Sequence, residues 1–363
     1  MRSRALFIVA LVFGVIGLVY VTGRKSHDSS EALDASKSNS QPITSSTFRK
    51  AANTFAAVDA AEPPSPATTS NLFQLLMAGE LDLELTSEQW AEYLRQYGTN
   101  VETLLATQKK DYIKLAAELF PGDPRVQYAV LTRELLPEAR REWLDRFKQS
   151  APENAMASYL SAREYLKAGD REQGLKDLAD AASKPRFNDY TLEQVQNMED
   201  AQLSAGRSLV EAKVAAGSEL LLPQLAMFKG LAQEVQMMQK EYITAGDTAS
   251  AEALAQMGHS LAQHLTAGDG SRTLIGQLVG VAIDRIVMSS LPPDSHPAFL
   301  DGTVQERIDE LTTFRQNTRT LTADFSPMMA RANENEIISY FDRMKLQGEY
   351  KAMLWLQNRN KLR

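Results

Sequence analysis

The sequence predicts an all-α body, a TPR-like α-solenoid of antiparallel helical hairpins stacked in a row. A single N-terminal transmembrane or signal helix and a polar, disordered tether precede it. Three observations carry this reading. The stretch Glu164-Tyr165-Leu166-Lys167-Ala168-Gly169-Asp170 returns as Glu241-Tyr242-Ile243-Thr244-Ala245-Gly246-Asp247, with a looser echo at Met344 to Tyr350. Helix-start signals recur after residue 71, with prolines between them. No sustained period-two pattern interrupts them.

Taken in order, Arg2 and Arg4 precede an apolar run over residues 5–21, and Arg24 and Lys25 follow. Seventeen residues of helix rise roughly 25 Å, the short end of a bilayer span. Residues 1–25 therefore read as a signal-anchor, with a cleaved signal peptide as the alternative. The anchor puts the body on the periplasmic or extracytoplasmic side, and cleavage would secrete it. The first 25 residues hold four basic and no acidic side chains, so the remainder of this −7 chain carries −11. An acidic body argues against nucleic acid, which needs a basic stripe. Cysteine is absent, which excludes disulfides, thiolate metal sites and a cysteine nucleophile.

Residues 26–70 are rich in Ser, Thr, Ala, Asp and Pro, a composition that predicts a disordered tether. Within it, residues 47–58 have the spacing of a short helix. Leu81 to Leu85 alternates and reads as an extended connector. The helical body is expected over 71–363. Thr86, Ser150, Asp170, Thr191 and Thr303 each stand three residues before Glu or Gln, the spacing of a capping box. Ser326-Pro327 reads as a further cap with proline in the first turn, which sets a C-terminal hairpin at 327–360. The residues of 137–149 suit surface pairs Glu138/Arg141 and Glu142/Arg146. Arg272 to Leu291 is apolar around most of its circumference, which suits a central buried helix or a membrane span, and Asp284, Arg285 and the flanking polar turns favour burial. Its Gly276/Gly280 pair suits close helix contact or a homo-oligomer seam.

Each copy of the repeated heptad ends one helix and starts the next. Gly169 and Gly246 suit the left-handed position past a helix end, because they carry no Cβ. Asp170 and Asp247 can then cap the helix that follows. Over residues 155–185 the chain resembles a tetratricopeptide repeat. Tyr165 matches the large residue near the end of the first helix, and Gly169-Asp170 match the turn. Gly174, Leu178 and Ala181 fall where the second helix wants small, large and small. Residues 232–262 repeat the pattern with Tyr242, Gly246, Asp247 and Ala251, followed by Ala255 and Gly258. Ser158 and Ser161 depart from it, and the two units lie 77 residues apart, more than two standard repeats.

No catalytic or metal pattern is present, and no cofactor is expected. His259 and His264 are five apart, about 140° around a helix, which rules out an i, i+4 metal pair. The tetratricopeptide resemblance implies a concave groove lined by the first helices of each hairpin. Tyr159, Arg163 and Lys167 would face it in the clearest unit, and Gln236 and Lys240 in the second. The expectation is a membrane-tethered scaffold that binds a protein or peptide and catalyses nothing. Alternatives from other classes are an envelope enzyme of the cell-wall-cleaving type on a helical solenoid, which needs a positioned Glu, and a self-assembling structural protein.

Overall fold

A computed structural model describes residues 83–218, 220–267 and 272–362. The expected anchor, the tether and the first residues of the body lie outside the described residues. Among the described residues the regular elements are helices without strands, and one isolated bridge joins Asn154 to Arg186. No helix among them is long and apolar enough to cross a membrane.

Leu83 and Leu85 are buried on either side of exposed Glu84, so the alternating connector is extended. There follow α1 (Ser87–Tyr97), α2 (Val101–Ala106), α3 (Lys110–Leu119), α4 (Pro124–Thr132), a short 3₁₀ turn (Pro137–Ala139) and α5 (Arg140–Ser150). Next come α6 (Ala155–Lys167), α7 (Arg171–Ser183), α8 (Thr191–Ser204), α9 (Leu209–Ser218), α10 (Pro223–Thr244) and α11 (Thr248–Thr266). The chain ends with α12 (Leu274–Met288), α13 (Val304–Arg331), α14 (Glu334–Gln347) and α15 (Glu349–Lys361).

Thr86 and Thr303 form the expected capping boxes with Gln89 and Glu306. Asp170 and Asp247 cap α7 and α11, accepting from the amides of Gln173 and Ser250. Three expected starts are corrected. Ser150 is the last residue of α5, and Asn154 caps α6 instead. Thr191 lies inside α8, its amide donating to Asp189 at 3.1 Å. Pro327 sits within α13, not at a helix start. Proline removes one ladder bond, but Phe325, Met328 and Met329 are all buried around it and carry the helix through. The C-terminal hairpin is therefore α14–α15, broken at Gly348 with φ 88°. On the surface of α5, Arg146 pairs with Glu142 as expected, but Arg141 pairs with Asp145.

The two repeated turns have one backbone geometry. Gly169 and Gly246 take φ of 82° and 80°. Asp170 N–H donates to Tyr165 O and Asp247 N–H to Tyr242 O, both at 2.9 Å. Gly169 and Gly246 donate to Leu166 O and Ile243 O, both at 3.0 Å. This pair of bonds closes a helix C-terminus at a left-handed residue. The Ser204-Ala205-Gly206 turn closes the same way, with Gly206 at φ 84°. Arg171, just past the first turn, pairs with Glu241 at the second, at 2.6 Å. The hairpins thus lie side by side, α6 against α10 and α7 against α11.

That adjacency breaks the expected order, in which each hairpin packs on the next in sequence. α8 and α9 leave the row: α8 packs on α1 and α2, and α9 packs on α14. The segment after α7 explains the departure. Ala155 N–H donates to Arg186 O at 2.9 Å. Asn154 holds the backbone of Asn188 through both amide atoms, at 2.8 and 3.0 Å. Phe187 is buried between these anchors, and Gln224 at the start of α10 donates to Asp189 at 2.9 Å. Exit and re-entry of the excursion are pinned together.

Leu178, Ala181, Ala251 and Ala255 are fully buried as expected. A Cβ on Gly174 would lie 2.7 Å from Leu166, so Leu166 crosses that seam. Tyr165, expected there, is half-buried, with the Arg141 guanidinium 4.4 Å from its ring centroid. Tyr242 is likewise half-buried at the edge of the main core. A Cβ on Gly258 would meet Val287 of α12 at 2.5 Å, which brings the next helix into the row. α12 is buried at Leu274, Val281, Ile283, Val287 and Met288, but Arg285 is exposed, so the expected all-round burial holds for one side of the helix. Gly280 faces α11, where a Cβ would meet Ala262 O at 3.0 Å, so the small-residue seam at Gly280 is filled within the chain.

Candidate partner-binding surface

Of the five residues expected in a groove, Tyr159 is corrected outright. It is fully buried, its ring 6.4 Å from Phe187 and 6.1 Å from Phe228. Phe187, delivered by the segment after α7, covers the face that the repeat pattern leaves open. Burial pushes the Tyr159 phenol well above its usual pKa and pushes His264 below its own. The neutral His264 then has one consistent tautomer. Nε2–H donates to Lys184 O at 3.0 Å, and Nδ1 accepts from Tyr159 OH at 3.1 Å.

Arg163 is partly buried and paired with Glu164 at 3.0 Å. Glu164 also holds Arg140, so Arg163 belongs to a structural pair network. Lys167 and Lys240 are exposed. Burial raises Glu234 on α10, while Arg163 and Lys167 pull it back down. Gln236 donates to Ile286 O and to Ser289 Oγ, both at 2.9 Å, and so fastens α10 to the end of α12.

Gln236 stands at the edge of an open concavity of about 340 Å³ between α10, α12 and α13. Leu278, Ala282, Ile286 and Leu311 form its apolar floor, and Arg285 and Arg315 stand over it. Both arginines are exposed, and neither pairs with a carboxylate among the described residues. Only Gln236 was legible here, because the other residues come from helices the repeat pattern did not reach.

Beneath the concavity lies a buried cluster. Asp284 accepts from Arg307 at 2.7 and 3.0 Å and lies 2.8 Å from His259 Nδ1. It ties α11, α12 and α13 together, and Gln263 occupies the other ring nitrogen of His259 at 2.8 Å. Both histidines are therefore committed to packing. Glu349 is raised to about 7, chiefly by burial, and accepts from Leu274 N–H at 2.6 Å. It caps α12 and does not line the concavity. Among the described residues no cluster of three or more His, Asp or Glu could hold a metal. No protein-family model, curated protein or solved structure matches this chain.

Proposed function

We propose that the chain is a tetratricopeptide-like helical scaffold, held at a membrane by residues 5–21 with its body on the extracytoplasmic side. It binds an acidic, amphipathic segment of a partner protein in the concavity of α10, α12 and α13. The observation that carries this reading is the apolar floor of Leu278, Ala282, Ile286 and Leu311 beside Arg285 and Arg315, which meet no carboxylate among the described residues. An amphipathic helix laid in such a groove buries its apolar face and sets its carboxylates against the arginines. The matched turns at Gly169 and Gly246, joined through Arg171 and Glu241, support the repeat reading. Exposed Lys167 and Lys240 extend the cationic character beyond the concavity.

Fluorescence anisotropy tests it with a labelled helical peptide carrying Leu at i, i+3, i+4 and i+7 and Glu elsewhere. Binding is expected to weaken about tenfold or more with Arg285→Glu plus Arg315→Glu. A Lys-for-Glu version of the peptide should bind poorly. Equal affinity for both peptides, or indifference to the double reversal, rejects this surface. N-terminal sequencing of the mature chain separates the anchor from cleavage and secretion.

A further inference from the structure

A second, narrower cleft lies between α2, α3 and α4 on one side and α8 on the other. Leu105, Ile113, Tyr128 and Tyr190 line it, and its volume is about 40 Å³. A water needs roughly 10–15 Å³ on this measure, so the cleft takes a carboxylate and a carbon or two. Leu221 at its edge is 45% exposed, an apolar rest for whatever extends outward.

Two independent observations point to a ligand. The first is charge. Arg125 and Arg133 both reach the cleft, but Arg125 is saturated by Asp123 at 2.7 Å and Glu102 at 2.6 Å. Arg133 meets no carboxylate among the described residues. Its Nη2 donates to Gln108 Oε1 at 2.9 Å, and burial without a counter-ion pushes the guanidinium below its usual pKa. Glu193, the acidic residue of the lining, is raised chiefly by burial, and Arg125 draws it back down.

The second observation is backbone strain. Among the described residues, positive φ outside glycine occurs at Gln108 (54°), Glu134 (52°) and Tyr190 (55°). Of the three, Tyr190 lines this cleft and the other two adjoin Arg133. Gln108 braces Arg133, Glu134 directly follows it, and Tyr190 forms the opposite wall. Left-handed backbone costs a non-glycine residue on the order of 1 kcal/mol. Elsewhere among the described residues the fold places glycine at such positions. Gln108 and Tyr190 thus keep side chains that brace Arg133 and form the wall facing it.

We propose that this cleft binds a small monocarboxylic acid with a short apolar tail, its carboxylate held by Arg133. The carboxylate supplies the counter-ion that Arg133 lacks among the described residues, and the tail lies between Tyr190 and Leu105 toward Leu221. Bidentate guanidinium–carboxylate bonds are the strong, directional kind, and desolvation in the cleft strengthens them.

The test is calorimetric titration of the full-length, detergent-solubilised protein with hexanoate and, separately, with hexanamide. Hexanoate is expected to bind about tenfold or more tightly than hexanamide. Arg133→Gln should erase that preference. Gln108→Gly serves as a second variant that keeps the arginine and accommodates the positive φ: it should weaken hexanoate several-fold by removing the brace. Equal affinity for acid and amide, or no heat from hexanoate up to about 10 mM, overturns the proposal. So does a preference that survives Arg133→Gln, or hexanoate affinity unchanged in Gln108→Gly.

Discussion

Replacing Asp284 by alanine tests how the row is held together at its C-terminal end. The carboxylate is 1% exposed and accepts two bonds from Arg307, with His259 Nδ1 as its third partner. Hydrogen bonds to a charged group contribute about 1.5–3 kcal/mol each, so three would total about 4.5–9 kcal/mol. Arg307 does not lose all of its share. Its side chain is 27% exposed and still reaches Glu310 at 2.9 Å, so water and that carboxylate recover part. His259, 7% exposed, has no such recourse at Nδ1. The expected loss is therefore about 3–4 kcal/mol, within the range for breaking a buried pair. With a urea slope of about 3 kcal/mol/M, the unfolding midpoint falls by about 1 M. Urea titration followed by far-UV circular dichroism reads this directly. A double-mutant cycle with Arg307→Ala should return a coupling of about 2 kcal/mol. A midpoint shift below about 0.3 M, or strict additivity in the cycle, refutes the view that Asp284 binds three helices together.

Other outcomes follow from single positions. Gly169→Ala and Gly246→Ala should each cost about 1 kcal/mol through backbone alone, since nothing lies within 4 Å of either new Cβ; equal stability of either variant by thermal melt contradicts the left-handed turn. Gly280→Ala should cost about 1–3 kcal/mol, because the new methyl meets the Ala262 carbonyl and Leu265, and backbone cannot swing aside as a side chain can. Glu349 holds its proton to about 7 in the folded chain against a usual 4.5. The associated stability is present below about 4.5 and drains away as pH rises to about 7, because the unfolded chain ionises first. Glu349→Gln should remove that part of the slope and be more stable than the parent above pH 7; parallel stability curves for the two proteins count against it.

Local signals in the sequence were readable because local physics decides them. Gly169, Gly246 and Gly348 sit at positive φ, and the boxes at Thr86 and Thr303 form, since a cap needs only residues three apart. The apolar circumference of α12 announced its buried side but not the side left open to the concavity. Ser150 and Pro327 misled because tertiary packing outweighed a short-range preference. Tyr159 misled for a different reason. Its side was covered by Phe187, and nothing in the spacing of α6 announces that a segment some thirty residues on will fold back over it. Of the concavity of α10, α12 and α13 only Gln236 was legible, and the cleft at Arg133 was not legible at all, because α8 forms one wall of it only by packing back on α2.

That step has a bearing on how a newly made chain reaches its final state. Gln202 reaches back to the Leu83 carbonyl, while Lys213 pairs forward with Asp342, a partner 129 residues later. Glu199 must likewise wait for Lys345. As the polypeptide leaves the ribosome, α8 can settle against what is already made and its Glu199 can hold the Lys213 ammonium, but α9 keeps an uncovered apolar side until α14 arrives. Long-range closures of this kind come late, and the partly finished intermediate is the sticky one. Truncations before α14 should accordingly leave a chain whose first half is ordered and whose middle invites aggregation.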